Sequence, residues 1–243
     1  MIDLSGLPLS TEFSVSEVFD CFAQSKNSFT CTFINPHSFY LAKNNSAYVE
    51  ALKKFDYVLA DGIGVVSYAK KVGADSVSRF SFDNTSLAPK VFETCRKMGL
   101  KIGVVGGVAG VSDRFAELIG NEFSGLDIIS ICHGYFTDDE ILKFVVDANV
   151  DVLLLGLGAP RQELLACKIK ALPGKTLLFT CGGFLDQRIL SKAYYPKIID
   201  KFNLRFLYRL VKEPRRLWRR YLIEYRVFAF LWVKAVAHAN KHS

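Results

Sequence analysis

Several absences narrow the reading of this chain before any motif does. None of its six cysteines (Cys21, Cys31, Cys95, Cys132, Cys167 and Cys181) forms a Cys-x-x-Cys pair, and none has a histidine at metal-ligand spacing. Zinc-ribbon and thioredoxin-type motifs are thereby excluded, and no metal site is expected. Several of these cysteines fall inside apolar runs, so they read as buried free thiols in a reducing compartment. The first ten residues carry Asp3 and no basic stretch, which does not match a signal peptide. The longest apolar run near the C-terminus, Val227 to Val233, stops at Lys234. It falls well short of the roughly 20 residues that cross a bilayer. Neither Gly-x-Gly-x-x-Gly nor a Walker P-loop occurs, and residues 1–190 show no repeat, low-complexity tract or linker. The expectation is a cytoplasmic protein, or one held peripherally at the inner face of the plasma membrane.

What is present is a long apolar chain with its charge unevenly placed. At 243 residues and 50% hydrophobic composition it can bury a sizeable core. The net charge of +7 belongs to the end of the chain. Lys192 to Ser243 holds thirteen basic and three acidic residues, whereas the remainder holds eighteen basic and twenty-one acidic. Such asymmetry points to an anionic partner: a membrane surface, a phosphate-bearing ligand or a nucleic acid.

The stretch around which the chain is organised is Tyr57-Val58-Leu59-Ala60-Asp61-Gly62-Ile63-Gly64. It reads as strand, tight turn and helix, with an amphipathic stretch running from Val65 to Lys71. Asp61 then stands at the carboxyl end of a strand, where open α/β sheets bind ligands. Asp is equally a favoured helix cap, and this segment alone leaves both roles open. The same grammar recurs. A helix is expected from Ser16 to Gln24, capped by Ser14 or Ser16. Phe29 to Ile34 is a strand ending at Asn35, with His37 a surface residue near a helix that starts at Phe39. Ala47 to Phe55 is helical. Leu87 to Met98 follows Arg79 and Asp83. The strand from Lys101 enters the turn Gly106-Gly107 ahead of the helix Val111 to Phe123. Backbone amides make that turn a diphosphate-cradle candidate, a weak signal on its own. Asp127 to Ile131 leads to His133-Gly134-Tyr135, and Thr137 with Glu140 forms a capping box for the helix Asp138 to Ala148. Asp151 to Leu155 ends in Gly156-Leu157-Gly158-Ala159-Pro160-Arg161-Gln162-Glu163. Leu177 to Cys181 ends in Gly182-Gly183-Phe184-Leu185-Asp186.

Apolar strands alternating with helices predict a doubly wound α/β fold, its mostly parallel sheet covered by helices on both faces. We divide the chain into an α/β domain over residues 1–195 and a basic helical appendage over 196–243. Lys201 to Val211 and Leu217 to Val236 are helical and separated by Pro214. Aromatics there are interleaved with Arg205, Arg209, Arg215, Arg216, Arg219, Arg220 and Arg226. Such helices lie at bilayer surfaces, with Trp218 and Trp232 suited to the interface. They also serve as appendages that pack on a core and present a solvated basic face, and periodicity does not choose between the two.

Four segments in order resemble the WecG/TagA/CpsF family of bacterial glycosyltransferases. These are Ala-Asp-Gly-Ile-Gly-Val-Val at 60–66, Gly-Leu-Gly-Ala-Pro-Arg-Gln-Glu at 156–163, Gly-Gly-Phe-Leu-Asp at 182–186 and Arg-Phe-Leu-Tyr-Arg-Leu-Val-Lys-Glu-Pro-Arg-Arg at 205–216. The match spans roughly residues 30 to 225. The resemblance implies inverting transfer, without a metal or cofactor, from a UDP-sugar to a saccharide on undecaprenyl diphosphate in the synthesis of surface polysaccharides. It implies that Asp61 is the general base and that Asn35 and Gln162 contact substrate. The tail arginines, Arg209, Arg215, Arg216, Arg219 and Arg220, would meet the membrane or the diphosphate. Around these, the polar strand-end positions Thr32, Gly62, Arg79, Asp83, Gly106, Gly107, Tyr135, Gly158, Pro160, Glu163, Gly183 and Asp186 are candidates for substrate binding, with Asp83 and Asp186 as rival carboxylates.

Four departures accompany the match. Phe33 stands where the family has the threonine of Thr-x-Asn, with Thr32 adjacent. Ser81-Phe82-Asp83-Asn84 replaces Gly-x-Asp-Leu, Tyr194-Tyr195-Pro196 replaces Arg-Ala-Pro, and Leu204-Arg205-Phe206 replaces Leu-Glu-Trp. The motifs leave the donor open among hexose, N-acetylhexosamine and uronic acid, and leave homo-oligomerisation open. Two other classes compete: an NAD-type oxidoreductase, against which the missing dinucleotide fingerprint counts, and a nucleic-acid binder using the basic tail. Pure nucleic-acid binding would not require the polar turns at 35, 61, 158–163 and 183–186.

Overall fold

A computed structural model describes residues 2–190, 205–212 and 214–239. The expected boundary at residue 196 lies outside them. The chain opens with an antiparallel hairpin, β1 (Ile2–Leu4) and β2 (Leu7–Leu9). Six further strands form one parallel sheet: β3 (Phe29–Ile34), β4 (Tyr57–Ala60), β5 (Ile102–Gly106), β6 (Ile128–Cys132), β7 (Val152–Gly156) and β8 (Leu177–Thr180), in the spatial order β4-β3-β8-β7-β5-β6. The fold is the expected doubly wound α/β arrangement.

Strands buried on both faces read as continuous apolar runs rather than alternating ones, and β7 demonstrates it. Val152 and Leu154 enter one core while Leu153 and Leu155 enter the other, and all four are fully buried. One core layer is built with helices α1 (Val15–Gln24), α5 (Leu87–Met98), α6 (Val111–Glu122) and α9 (Phe184–Leu190). The other is built with α2 (Pro36–Asn44), α3 (Ser46–Lys53), α4 (Ile63–Lys71), α7 (Asp138–Ala148) and α8 (Arg161–Lys170). Helix α7 has the range its capping box foretells. Thr137 Oγ1 accepts from Glu140 N at 3.3 Å, and Glu140 accepts from Thr137 N at 2.8 Å. Helix α2 begins three residues earlier than expected, because Asn35 caps it and Pro36 supplies a preset first turn. The hairpin and α9 were not anticipated. Three-residue strands carry no readable period, and Gly182-Gly183 masks a seven-residue helix as a turn.

The C-terminal segment is helical, as expected, and interrupted. It comprises α10 (Arg205–Lys212), α11 (Pro214–Arg219), a π-turn at Arg220–Glu224 and α12 (Tyr225–Ala239). Helix α12 packs on α2 and α4. The Phe228 ring lies 5.0 Å from Phe39 and 5.8 Å from Tyr68, and Gly64 leaves space for it. Trp232, one of the two tryptophans suited to an interface, is half-buried here, its indole N–H donating to Ser67 Oγ at 3.3 Å. The opposite face is exposed from Arg215 through Arg219, Arg226 and Phe230 to Val233. The tail therefore satisfies the packing reading with one side and leaves a basic, apolar side unoccupied. Phe228→Ala is expected to cost about 3 kcal/mol by opening this contact, measured as a lower urea-unfolding midpoint.

Candidate active site

A cleft of about 190 Å³ opens at the carboxyl ends of four neighbouring strands, β4, β3, β8 and β7. Their order is what assembles it. Asp61 follows β4, Asn35 follows β3, Gly183 follows β8, and Gly158 and Gln162 follow β7; all five line the cleft. Asp83 joins from the loop before α5, and Arg220 enters from the π-turn of the tail.

Local geometry explains each placement. Asp61 N donates to Ile34 O at 2.8 Å, which prolongs the β3–β4 pairing by one residue and holds the acid at the rim. The N-cap position of α4 belongs to Gly62, not Asp61. Gly62 has φ +95°, a conformation open to glycine, and an added Cβ would meet nothing within 4 Å, so backbone freedom is the reason for it. Asn35 does two jobs. Its Oδ1 caps α2 by accepting from His37 N at 3.0 Å, and the residue still faces the cleft.

Thr32 and Glu163, expected among the substrate-binding residues, are fully buried beneath the cleft instead. Thr32 Oγ1 donates to Glu163 Oε1 at 3.1 Å and shares a hydrogen bond with Thr180 Oγ1 at 2.8 Å. Burial holds the Glu163 carboxyl above its ordinary pKa, against the hydrogen bonds from Gln162, its own backbone and Thr32. Asp83 is heavily used. Its Oδ1 accepts from Thr85 N and Oγ1, both at 2.8 Å, and its Oδ2 accepts from Ser81 Oγ at 2.5 Å, with Arg79 Nη2 at 3.6 Å. Arg79 and Pro160 flank the cleft without lining it; Pro160 occupies the N-cap of α8.

Gly106, Gly107, Tyr135 and Asp186 lie outside the lining. The two glycines have packing reasons: a Cβ on Gly106 would fall 2.4 Å from Gly156 O, and one on Gly107 would fall 2.3 Å from Val111 Cγ1. Tyr135 is 77% exposed. Its turn is held by Arg161, which donates to Gly134 O at 2.5 Å, Phe136 O at 2.6 Å and Asp138 Oδ1 at 3.0 Å. Asp186 is exposed on α9. Of the tail arginines, Arg215 and Arg219 are exposed, and the side chains of Arg209 and Arg216 lie outside the described residues.

His37, Phe33, Phe184 and Gln187 also line the cleft, beyond the candidates singled out from the sequence. His37 is not the surface residue expected. It is 9% exposed, stacks on Tyr40 and stands with Nδ1 2.9 Å from Glu224 Oε2. Burial, aided by Arg220, pushes its pKa down to about 4, so the ring is neutral near pH 7. Its place in the first turn after a strand end was the available signal. Among the described residues no group of three His, Cys, Asp or Glu side chains gathers as a metal site, and no helix is long and apolar enough to cross a membrane.

The arrangement offers a carboxylate at the rim, an oriented amide and a cation brought by the tail. Such a set can remove a proton from one substrate and receive negative charge on another. Comparison with known proteins points the same way. The chain is 32% identical over 200 residues to UDP-Gal:alpha-D-GlcNAc-diphosphoundecaprenol beta-1,4-galactosyltransferase of Shigella boydii, covering 81% of this chain and 82% of that protein. It is 28% identical over 200 residues to N-acetylglucosaminyldiphosphoundecaprenol N-acetyl-beta-D-mannosaminyltransferase of Bacillus spizizenii, covering 82% and 76% respectively. Its identity to the Bacillus subtilis enzyme of the same name is 26% over 190 residues, covering 78% and 73%. With the model of the glycosyl transferase WecG/TagA/CpsF family matching residues 2–242, the chain belongs to that family of glycosyltransferases.

Proposed function

We propose that this chain moves a sugar from a UDP-sugar to a saccharide carried on undecaprenyl diphosphate, by a single inverting displacement in the synthesis of a bacterial surface polysaccharide. The observation that carries the reading is the meeting of Asp61, Asn35, Gln162 and Arg220 in one cleft. Asp61 takes the proton of the acceptor hydroxyl as that oxygen bonds to the anomeric carbon. The bond from that carbon to the diphosphate oxygen breaks, and UDP leaves with the electron pair. Proton removal by a positioned base contributes about 10²–10⁴-fold. Charge growing on the leaving diphosphate is met by Arg220 and backbone amides, the kind of preorganised field that lowers such barriers most. No metal takes part in this scheme, so EDTA leaves the rate unchanged.

A UDP-sugar is an extended ligand, and the rim of the sheet continues from β7 to β5 and β6. We assign Gly106, Gly107 and Tyr135, on that continuation, together with Asp186, to the nucleotide end of the donor. The exposed basic face of the tail holds the enzyme peripherally at the inner membrane face, where the lipid-borne acceptor resides. The donor is a hexose, an N-acetylhexosamine or a uronic acid.

Thermal-shift titration separates this reading from its rivals. UDP raises the melting temperature, whereas NAD and an oligonucleotide do not, because binding the folded state alone stabilises it. A shift with NAD or the oligonucleotide and none with UDP rejects the proposal. A screen of UDP-sugars on a lipid-diphosphate acceptor analogue then names the donor.

A further inference from the structure

Directly beneath the cleft, one carboxyl oxygen accepts from two side chains, one on β3 and one on its own helix. Glu163 is 0% exposed and does not touch the cleft. Its Oε1 accepts from Thr32 Oγ1 of β3 at 3.1 Å and from Gln162 Nε2 at 2.8 Å, and Thr32 is tied to Thr180 of β8 at 2.8 Å. Its Oε2 finds no partner among the described residues. Gln162 lines the cleft and is 7% exposed. Its Oε1 accepts from Gly158 N at 3.1 Å. The amide is therefore fixed in one sense. Turned over, it would set its NH₂ against the Gly158 N–H and its oxygen against the Glu163 oxygen, losing both bonds. With Oε1 and one Nε2 hydrogen taken, the second Nε2 hydrogen remains for a ligand.

We propose that Glu163 is a positioning residue, a buried neutral carboxyl whose Oε1 orients the Gln162 amide so that one N–H faces a substrate oxygen in the cleft. This inference rests on the glycosyl-transfer reading for its activity test but not for its spectroscopic one. The unpartnered Oε2 favours the neutral form. A bare carboxylate oxygen, buried and unpaired, is far costlier than a hydroxyl in the same place. Burial also holds the carboxyl above its ordinary pKa. Thr32 and Gln162 both donate, so the group serves by accepting, and its charge is not required.

The test compares E163Q, E163M, Q162A and the double variant E163M/Q162A with the full chain. Glutamine keeps an accepting Oε1, so E163Q stays within about threefold of the parent in kcat/KM. Methionine keeps the volume and removes the acceptor, so E163M loses roughly 10- to 100-fold, the scale of leaving a buried donor without its acceptor. The decisive result is non-additivity: on top of Q162A, E163M costs nothing more. A purely structural glutamate would cost the same in both backgrounds, and that result overturns the proposal. So does a loss in E163Q as large as that in E163M, which would mean that the charge matters. Should E163M fail to fold, E163Q alone decides, because a loss equal to that of Q162A is then the overturning outcome. The side-chain amide resonances of Gln162 give a second readout. They are dispersed in the parent and in E163Q and collapse toward free-glutamine values in E163M; unchanged resonances in E163M refute the orientation. A parent chain that transfers no sugar defeats the glycosyl-transfer reading and leaves this spectroscopic test standing.

Discussion

Asp61→Asn is expected to abolish sugar transfer while the variant melts with the parent and still binds UDP. Asparagine keeps the shape and hydrogen-bonding reach of the side chain, so the β4 terminus and the α4 start at Gly62 are undisturbed. What disappears is the ability to take a proton, worth about 10²–10⁴-fold. The two rival carboxylates are less suited. Asp83 already receives two hydrogen bonds from Thr85 and one from Ser81, so both its carboxyl oxygens are committed to holding its own loop. Asp186 is exposed and outside the cleft lining. Initial rates of UDP release measured alongside UDP affinity make the decision. An Asp61→Asn enzyme that retains more than a tenth of the parent rate moves the base elsewhere, and Asp83→Asn is then the variant to lose activity.

The second large effect is expected at the membrane. Arg215, Arg219 and Arg226 share the exposed face of the tail with Trp218, Leu222 and Phe230, whereas Leu217, Phe228 and Trp232 turn inward. Basic residues near an anionic surface contribute about 1 kcal/mol each, so changing the three arginines to glutamine weakens vesicle binding by roughly two orders of magnitude. Changing Trp218, Leu222 and Phe230 to serine removes the apolar part of the contact as well. These substitutions test the surface better than truncation before Lys201, which would strip Phe228 from Phe39 and Tyr68 and confound anchoring with unfolding. Sedimentation with anionic vesicles reads the result. Undiminished binding by the arginine variant would show that this face is not the anchor, and high salt should mimic the variant if it is.

Both expectations lean on features that differ in how far the sequence disclosed them. The alternation of strand and helix was legible because each strand is a dense apolar run bounded by glycine, asparagine or aspartate, and α7 was legible to its ends because Thr137 and Glu140 cap it locally. His37 was not, since nothing nearby in the chain shows that Glu224 and Arg220 return to cover it. The amphipathic pattern of the tail showed two faces and did not say which would meet protein. It took Phe39, Tyr68 and Ser67, far off in sequence, to claim Phe228 and Trp232.

By itself, then, the sequence determined the α/β class, the polar residues at the strand ends and the basic tail, because each is written within a dozen neighbouring residues by propensity, capping and period. Only the tertiary structure decided that β4, β3, β8 and β7 lie side by side, which brings residues 35, 61, 158, 162 and 183 into one cleft and leaves 106, 107 and 135 farther along the rim. It likewise decided that Glu163, a routine acid in the first turn of a helix, is sealed beneath Gln162. The reason is physical: hydrogen bonding and side-chain spacing along one segment specify that segment, whereas the lateral order of strands and the burial of a single carboxyl arise from contacts between residues up to 148 positions apart.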